Sequence, residues 1–205
     1  MRIDIWSDVV CPWCYIGVTR FDRALASYAG EVTIRLHPFQ LDPDAPVPGV
    51  PVRPYYQAKF GAQADAMEAR LTQEGAREGI VFNWDRAIRG NTFDAHRAIA
   101  YARRSELDRT LEMQLFRAYF TSGLDISDRA VLADAGALVG VDRADLTNYL
   151  ESDDGVDEVR RELVDSVERG ITGVPSFLFE NEFLIPGAVD TASFERILEQ
   201  MRALR

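Results

Sequence analysis

The first 37 residues contain two strand patterns separated by one helix pattern. Apolar and polar side chains alternate in RIDIWS at residues 2–7 and in VTIRLH at residues 32–37, which is typical of strands. Between them, apolar residues recur at the steps of one helix face: Val18, Phe21, Leu25 and Tyr28. Gly30 is a suitable residue to end that helix. A strand, a helix and a strand in this order predict two parallel strands joined by a right-handed crossover.

The chain changes character after this unit. Residues 37–54 contain six prolines and one glycine, a composition that predicts neither a helix nor a central strand. An Ala-rich block follows, and its apolar spacing predicts helices at residues 55–78, 92–104, 108–121, 128–139 and 143–151. Asn91, Ser127 and Asp142 precede three of these helices as candidate N-caps.

A mixed pattern returns after Gly155. A helical stripe leads to two short strand patterns, SFLFE and EFLIP. A final helix is predicted from Phe194, Ile197, Leu198, Met201 and Leu204. This order, β-α-β, helical block, α-β-β-α, predicts an α/β chain with a thioredoxin fold and an all-helical insertion domain. The predicted boundaries are residues 1–54 for the first half of the thioredoxin-like domain, 55–151 for the insertion and 152–205 for the second half.

Composition narrows the classes of partner and compartment. The 205 residues are 47% hydrophobic, enough for a substantial core, and the net charge of −10 disfavours nucleic acid or an anionic membrane as the main partner. No run of 18 apolar residues is present, and MRIDIWSDVV lacks the apolar stretch of a secretory signal. The sequence therefore predicts a cytoplasmic protein with no membrane partner.

The only two cysteines lie in DVVCPWCYIG at residues 8–17. Disulfide exchange uses a thiolate, and Cys11 follows a strand at the start of a predicted helix, where backbone N–H groups and the helix dipole stabilise an anion. Pro12 suits the first helical turn, and Cys14 lies one turn further on. The spacing predicts a redox pair with an exposed nucleophile at Cys11 and a more buried resolving partner at Cys14.

Three alternatives to a redox pair fit the cysteines less well. A zinc site needs about four ligands, and the two histidines, His37 and His96, are far apart in the sequence with no second CxxC, so no metal is expected. A structural disulfide is disfavoured in a reducing compartment. Two inert buried thiols are disfavoured because a CxxC beside a βαβ pattern is typical of thioredoxin-like redox sites.

A second signal lies about 160 residues later, in GITGVPSFLF at residues 170–179. Pro175 precedes a predicted strand, where proline cannot be an ordinary ladder residue. Taken alone, the position favours a trans proline at the start of an edge strand. Together with the CxxC and the order of elements, it instead predicts a cis bond that presents the Val174 backbone beside Cys11.

Four segments together resemble the DsbA-type thioredoxin oxidoreductases, in particular the FrnE-like branch. They are DVVCPWCYIG, PFQLDP at 38–43, NTFDAHRAIAYA at 91–102 and GITGVPSFLF. The resemblance covers essentially the whole chain. It implies thiol–disulfide chemistry at Cys11 and Cys14, supported by Pro12, Trp13, Val174 and Pro175. Trp13 stands where periplasmic relatives commonly have histidine, which implies a reduction potential below their strongly oxidising end.

The same superfamily includes the kappa-class glutathione transferases and the 2-hydroxychromene-2-carboxylate isomerases. Those enzymes typically carry serine at the position of Cys11 and bind glutathione. The resemblance leaves glutathione open as a reductant or co-substrate, with Val174 as a backbone contact and Asn91, His96 and Asp190 as candidate binding residues. No tightly bound cofactor is expected.

The sequence thus predicts a cytoplasmic thiol–disulfide oxidoreductase or disulfide isomerase acting on protein or small-molecule thiols and disulfides. One alternative is a glutathione-dependent isomerase or transferase acting on a small aromatic substrate. Another is a redox sensor whose cysteine pair oxidises without turnover.

Overall fold

A computed structural model describes residues 1–203. The strands are β1 (Arg2–Ser7), β2 (Thr33–Pro38), β3 (Val50–Pro51), β4 (Ile88–Arg89), β5 (Ser176–Phe179) and β6 (Phe183–Pro186). The helices are α1 (Pro12–Ala26), α2 (Arg53–Phe60), α3 (Ala64–Arg77), α4 (Phe93–Ala102), α5 (Asp108–Phe116), α6 (Arg129–Leu138), α7 (Arg143–Glu151), α8 (Val156–Glu168) and α9 (Thr191–Ala203). Leu204, which the sequence assigns to the last helix, lies outside the described residues.

The main sheet has the strand order β2-β1-β5-β6. Strand β1 pairs in parallel with β2, with Ile5 opposite Leu36, and antiparallel with β5, with Trp6 opposite Ser176. Strand β6 continues the sheet by antiparallel pairing with β5. This topology, with the helices of residues 53–151 inserted between β2 and α8, confirms the predicted thioredoxin fold with a helical insertion. The domain boundaries stay a prediction.

The core forms on both faces of β1. On one face, α1 and α9 pack against β5. Phe21 of α1, Phe177 of β5 and Phe194 of α9 are fully buried there, and their ring centroids are 4.8 to 5.2 Å apart. On the other face, α8 packs against β2, and the Trp6 indole donates a 2.8 Å hydrogen bond to Ser166 Oγ. Burial on both faces makes β1 the fixed centre of the molecule.

The first helix of the insertion differs from its prediction. Residues 55–78 form α2, a 3-10 turn at Gly61–Gln63, and α3 instead of one helix. The break lies at Gly61, whose φ is +54°. Residues with a side chain rarely adopt a positive φ, whereas glycine does so readily. Helix α2 also begins earlier, at Arg53, because Pro54 is tolerated in a first turn.

Two further expectations about the insertion need correction. A two-residue ladder joins β3 to β4, so the proline-rich segment and the helical block each contribute a short strand. Ser127 is not an N-cap, because the neighbouring Asp128 accepts the Ala130 N–H and caps α6. Asp142 caps α7 as predicted. Within residues 1–203, no helix combines the length and the apolar character needed to cross a bilayer.

The aromatic core gives a stability prediction. Replacing Phe177 by Ala leaves a cavity between α1 and α9 and lowers the free energy of unfolding by about 3 to 5 kcal/mol. The matched control is Phe183→Ala on β6, where the ring is 45% exposed and the loss stays below about 1 kcal/mol. Urea denaturation of both variants measures the difference, and equal losses would contradict this description of the core.

Candidate active site

Cys11 occupies the position just before the first turn of α1. Its backbone is extended, with φ −88° and ψ 113°, and Pro12 is the first residue of the helix. The Cys11 carbonyl oxygen accepts hydrogen bonds from the N–H groups of Cys14 and Tyr15, at 3.0 and 3.2 Å. Both cysteines are free thiols. The sequence predicted this local arrangement because β1 ends just before the CxxC and proline favours a helical start.

Burial of the two cysteines differs from the prediction in one respect. Cys14 is fully buried as expected, but Cys11 is only 4% exposed, so the expectation of an exposed nucleophile is wrong. The physical reason is the helical insertion, whose α2 and α3 cover the start of α1. Cys11 is reached through a pocket between these elements.

The Val174–Pro175 peptide bond is cis, as the sequence predicts. The loop lies directly against the cysteine pair, and the Cys11 thiol donates to the Val174 carbonyl oxygen at an Sγ to O distance of 3.7 Å. Gly17 on α1 permits this approach, because a Cβ there would lie 2.9 Å from Pro175 Cγ. The close contact therefore depends on glycine at position 17.

The pocket above Cys11 has a volume of about 310 Å³. Its wall is largely aromatic and apolar, from Trp13, Tyr55, Tyr56, Phe60, Leu71 and Tyr119. Cys11, Pro12 and Val174 also line it, so the cis-proline loop and the nucleophile share one opening. Such a pocket can accept an apolar or aromatic group beside the Cys11 sulfur.

Lys59 and Arg89 line this pocket, and Arg70 lies over Trp13, which also lines it. The Arg70 guanidinium lies 5.3 Å from the centroid of the Trp13 ring. Arg89 forms an ion pair with Asp42 at 2.7 Å. Lys59, the only lysine of the sequence, donates to the Tyr55 hydroxyl at 3.0 Å and forms no ion pair with a carboxylate of residues 1–203. An acidic protein thus places an uncompensated cation at its pocket.

Behind the pair, Cys14 faces polar groups in the protein interior. Burial raises the pKa of the Cys14 thiol well above its ordinary value, and the neighbouring Cys11 thiol raises it further. The Asp8 backbone N–H and the Ser7 hydroxyl oppose that rise in pKa. At neutral pH, Cys14 is therefore a protonated thiol that needs a proton acceptor before it can attack a disulfide.

Asp8, His96 and Glu112 are buried polar residues, and none is more than 5% exposed. His96 and Glu112 line one small cavity. The His96 Nε2–H donates to the Phe39 carbonyl oxygen at 2.9 Å and lies 3.5 Å from Asp8 Oδ1. The Leu41 N–H donates to the other Asp8 oxygen at 2.8 Å. The PFQLDP segment thus holds both Asp8 and His96 in place through its backbone.

Glu112 was not found from the sequence. It lies on the apolar face of α5, among Leu111, Leu115 and Phe116. An acidic residue on the apolar face of a predicted helix is unusual, and this pattern could have identified Glu112 from the sequence. Burial raises the pKa of Glu112 to about 7, although the Ser7 hydroxyl, His96 and Arg109 oppose that rise.

The candidate glutathione-binding residues do not meet at Cys11. Asn91 accepts the Phe93 N–H and donates to the Pro43 carbonyl oxygen, so it organises the start of α4. Asp190 is exposed and accepts both the N–H and the hydroxyl of Ser193 at the start of α9. Neither lines the Cys11 pocket, and His96 is buried below the pair instead.

The sequence did not indicate a role for Arg97, the residue after His96 on α4. In the structure, Arg97 supports a neighbouring helix. Its guanidinium donates to carbonyl oxygens at the end of α7, including those of Tyr149 and Leu150. This cluster of hydrogen bonds satisfies the free carbonyls of a helix C-terminus. No cluster of three metal-ligating side chains occurs among the residues that the structure describes.

The buried Glu112 gives a pH-dependent prediction. A pKa of about 7, raised from 4.5, means that the folded protein keeps a proton that the unfolded chain has released, so stability falls as pH rises toward and through 7. Relative to wild type, Glu112→Gln removes this loss and gains about 2 to 3 kcal/mol between pH 5 and pH 8. Urea denaturation of the reduced proteins across this range measures the change.

The control for this prediction is Glu74→Gln. An Arg20 hydrogen bond lowers the pKa of Glu74, so this carboxyl is ionised in the folded and the unfolded chain above about pH 5, and its removal leaves the pH dependence between pH 5 and pH 8 as in wild type. The prediction is refuted if the free energy of unfolding of Glu112→Gln changes with pH as that of wild type does.

Comparison with known proteins agrees with the fold. The DSBA-like thioredoxin domain family matches residues 2–199. A probable DsbA oxidoreductase, SCO1869 from Streptomyces coelicolor, is 31% identical with a TM-score of 0.92, over 100% of this chain and 91% of that one. YwbO from Bacillus subtilis, an uncharacterised protein, is 27% identical over 97% of this chain and 96% of its own length.

A third relative shares the fold at lower identity. The cytosolic disulfide reductase DsbM from Pseudomonas aeruginosa, whose structure was solved with GSH, is 21% identical with a TM-score of 0.68, over 100% of this chain and 96% of that one. The family match over nearly the whole chain, on a fold that places a CxxC against a cis-proline loop, shows that this chain belongs to the DSBA-like thioredoxin domain family of thiol–disulfide oxidoreductases.

Proposed function

We propose that this protein is a cytoplasmic thiol–disulfide oxidoreductase, with disulfide isomerase activity, in which Cys11 is the nucleophile and Cys14 the resolving cysteine. Its substrates are disulfides or thiols of proteins or small molecules, and it uses no tightly bound cofactor. The FrnE-like branch is part of this proposal. DsbM, described as a cytosolic disulfide reductase, provides a precedent for the compartment on the same fold.

The observation that supports the proposal is the position of Cys11, which contacts the cis-proline loop and lines the pocket. Its sulfur lies 3.7 Å from the Val174 carbonyl oxygen of the cis-proline loop and also lines the open pocket, while Cys14 is fully buried one turn behind it. A substrate can therefore reach Cys11 and not Cys14. Cys11 also stands at the N-terminus of α1, the end of a helix that in general favours negative charge.

The reaction follows from this asymmetry. The Cys11 thiolate attacks one sulfur of a substrate disulfide, forms a mixed disulfide and releases the other sulfur as a thiolate. The Cys14 sulfur then attacks Cys11, which forms the Cys11–Cys14 disulfide and releases the second substrate thiolate. The substrate gains two electrons and the cysteine pair loses two. The reverse sequence oxidises a dithiol.

Single cysteine variants separate the two roles. Cys11→Ser abolishes both insulin reduction and the refolding of a scrambled disulfide protein, because no nucleophile reaches the substrate. Cys14→Ser still forms the mixed disulfide but cannot resolve it, so substrates stay bound to Cys11 and are identified by mass spectrometry of complexes trapped in cells. Activity that survives in Cys11→Ser contradicts the assignment, and a wild type that oxidises without turnover supports a redox sensor.

A second candidate function is a glutathione-dependent isomerase or transferase acting on a small aromatic substrate. The observation in its favour is the aromatic pocket of about 310 Å³ above Cys11, which is large enough for a small molecule. The DsbM structure was solved with GSH, which supports glutathione as a reductant or co-substrate here. If Cys11→Ser keeps glutathione-dependent turnover of an aromatic electrophile, this second function replaces the first.

The pocket also predicts a preference among small disulfides. An aromatic disulfide that bears carboxylates, dithiobis(nitrobenzoate), places its charge near Lys59, whereas dithiodipyridine is neutral. We expect Lys59→Met to slow the reaction of Cys11 with the first reagent by up to about fivefold, the size of an exposed ion pair, and to leave the second unchanged. Stopped-flow absorbance measures both rates.

The matched control is Arg77→Met on α3, an exposed cation that pairs with Glu74 and does not line the pocket. It changes neither rate. A Lys59→Met variant that slows both reagents equally, or neither, contradicts the proposed position of the charged group.

A further inference from the structure

Three tyrosines line the pocket beside Cys11, and their hydroxyl groups differ in their hydrogen bonds. The Tyr55 hydroxyl accepts a hydrogen bond from Lys59 at 3.0 Å. The hydroxyls of Tyr56 and Tyr119 have no hydrogen-bond partner in the described part of the chain. Tyr119 is only 1% exposed, and a hydroxyl buried to this extent is normally hydrogen-bonded. A free hydroxyl in a pocket wall is therefore available to a bound molecule.

Tyr119 lies in an unusual turn of the backbone. Helix α5 continues into a π-helical turn at Arg117–Thr121, in which the Ser122 N–H donates to the Arg117 carbonyl oxygen at 3.0 Å, five residues back. Such turns are rare and often occur at functional sites. Here Phe120 packs into the aromatic core of the insertion, while the adjacent Tyr119 lines the pocket. Two neighbouring buried side chains thus serve different places.

Both free hydroxyls are hydrogen-bond donors at physiological pH. Burial raises the pKa of Tyr119 well above its ordinary value, and burial also raises the pKa of Tyr56. Each tyrosine therefore keeps its proton and can donate it to an oxygen of a bound molecule. Tyr56 belongs to α2 and Tyr119 to the turn after α5, so one pocket receives two donors from separate elements.

Negative charges lie behind the same pocket wall. Asp8 accepts from the N–H of Leu41 at 2.8 Å, and Leu41 lines the pocket. Gly90 also lines the pocket, and a Cβ there would lie 2.8 Å from Asp125 Oδ1. Both carboxylates contribute to the raised pKa of Tyr119. Because like charges repel, these groups disfavour a carboxylate beside Tyr119 and favour an uncharged acceptor such as a carbonyl oxygen.

We propose that, among small-molecule disulfides, this pocket selects those with an apolar or aromatic body and an uncharged carbonyl oxygen, which accepts hydrogen bonds from Tyr119 and Tyr56. This inference rests on the proposed redox function and names the substrate class of its site. The two tyrosines bind the substrate and do not react. Cys11 supplies the thiolate, its bond to one substrate sulfur forms, and the other sulfur leaves with the electron pair of the broken S–S bond.

The test compares two probes that differ in one group. They are the 2-pyridyl disulfides of 4-acetylbenzyl thiol and of 4-isopropenylbenzyl thiol, in which a CH₂ group replaces the carbonyl oxygen at nearly the same shape. Attack by Cys11 releases pyridine-2-thione, and its absorbance gives the rate for each probe, divided by the rate with free 2-mercaptoethanol. In wild type we expect the acetyl probe to react at least about fivefold faster, the size of a net hydrogen bond.

Tyrosine variants assign this preference to the pocket. Tyr119→Phe slows the acetyl probe by about fivefold and leaves the isopropenyl probe unchanged. Tyr56→Phe acts in the same direction and serves as the test if Tyr119→Phe does not fold. The matched control is Tyr149→Phe, which changes neither rate. Tyr149 is another buried tyrosine of the insertion whose hydroxyl lacks a partner among the described residues, but it does not line this pocket.

Two further measurements separate the possible failures. Urea denaturation shows whether the Tyr119 hydroxyl has a structural role, and we expect Tyr119→Phe to be as stable as wild type because no hydrogen bond within the protein is lost. Equal rates of wild type with both probes, equal slowing of both probes in Tyr119→Phe, or a loss of its stability overturns the proposal. Intact mass detects the adduct at Cys11, and a wild type that forms none with either probe refutes the redox function and this inference with it.

Discussion

The pairing of β1 with β5 is the interaction on which the site depends. Trp6 lies opposite Ser176 in this ladder, so the end of β1 and the cis-proline loop come together although about 170 residues separate them in the chain. Because β1 is buried on both faces, this register is fixed by the core. Gly17 then lets Pro175 rest against α1, and Cys11 meets Val174.

The two cysteines lie in different environments. An apolar pocket opens beside Cys11, whereas Cys14 is fully buried in the protein interior. The two sulfurs thus have separate surroundings within one helical turn, in agreement with the different roles proposed for them.

The helical insertion contributes to both environments. Helices α2 and α3 build the pocket wall and reduce the exposure of Cys11. Helices α4 and α5 carry the buried His96 and Glu112. A thioredoxin fold can supply the CxxC and the cis-proline by itself. Here the wall of the pocket beside Cys11 and the buried Glu112 come from residues that lie between its two halves.

The sequence by itself determined the local parts of this protein. The strand before Cys11, the proline-started helix and the order of elements along the chain follow from short patterns. The cis bond at Pro175 follows from the combination of that order with the CxxC. Only the tertiary structure decided that Cys11 is covered, that Ser7 and Glu112 share one cavity, and that Asn91 and Asp190 lie elsewhere. These outcomes depend on the packing of helices against a distant strand, and neither periodicity nor local propensity encodes such contacts.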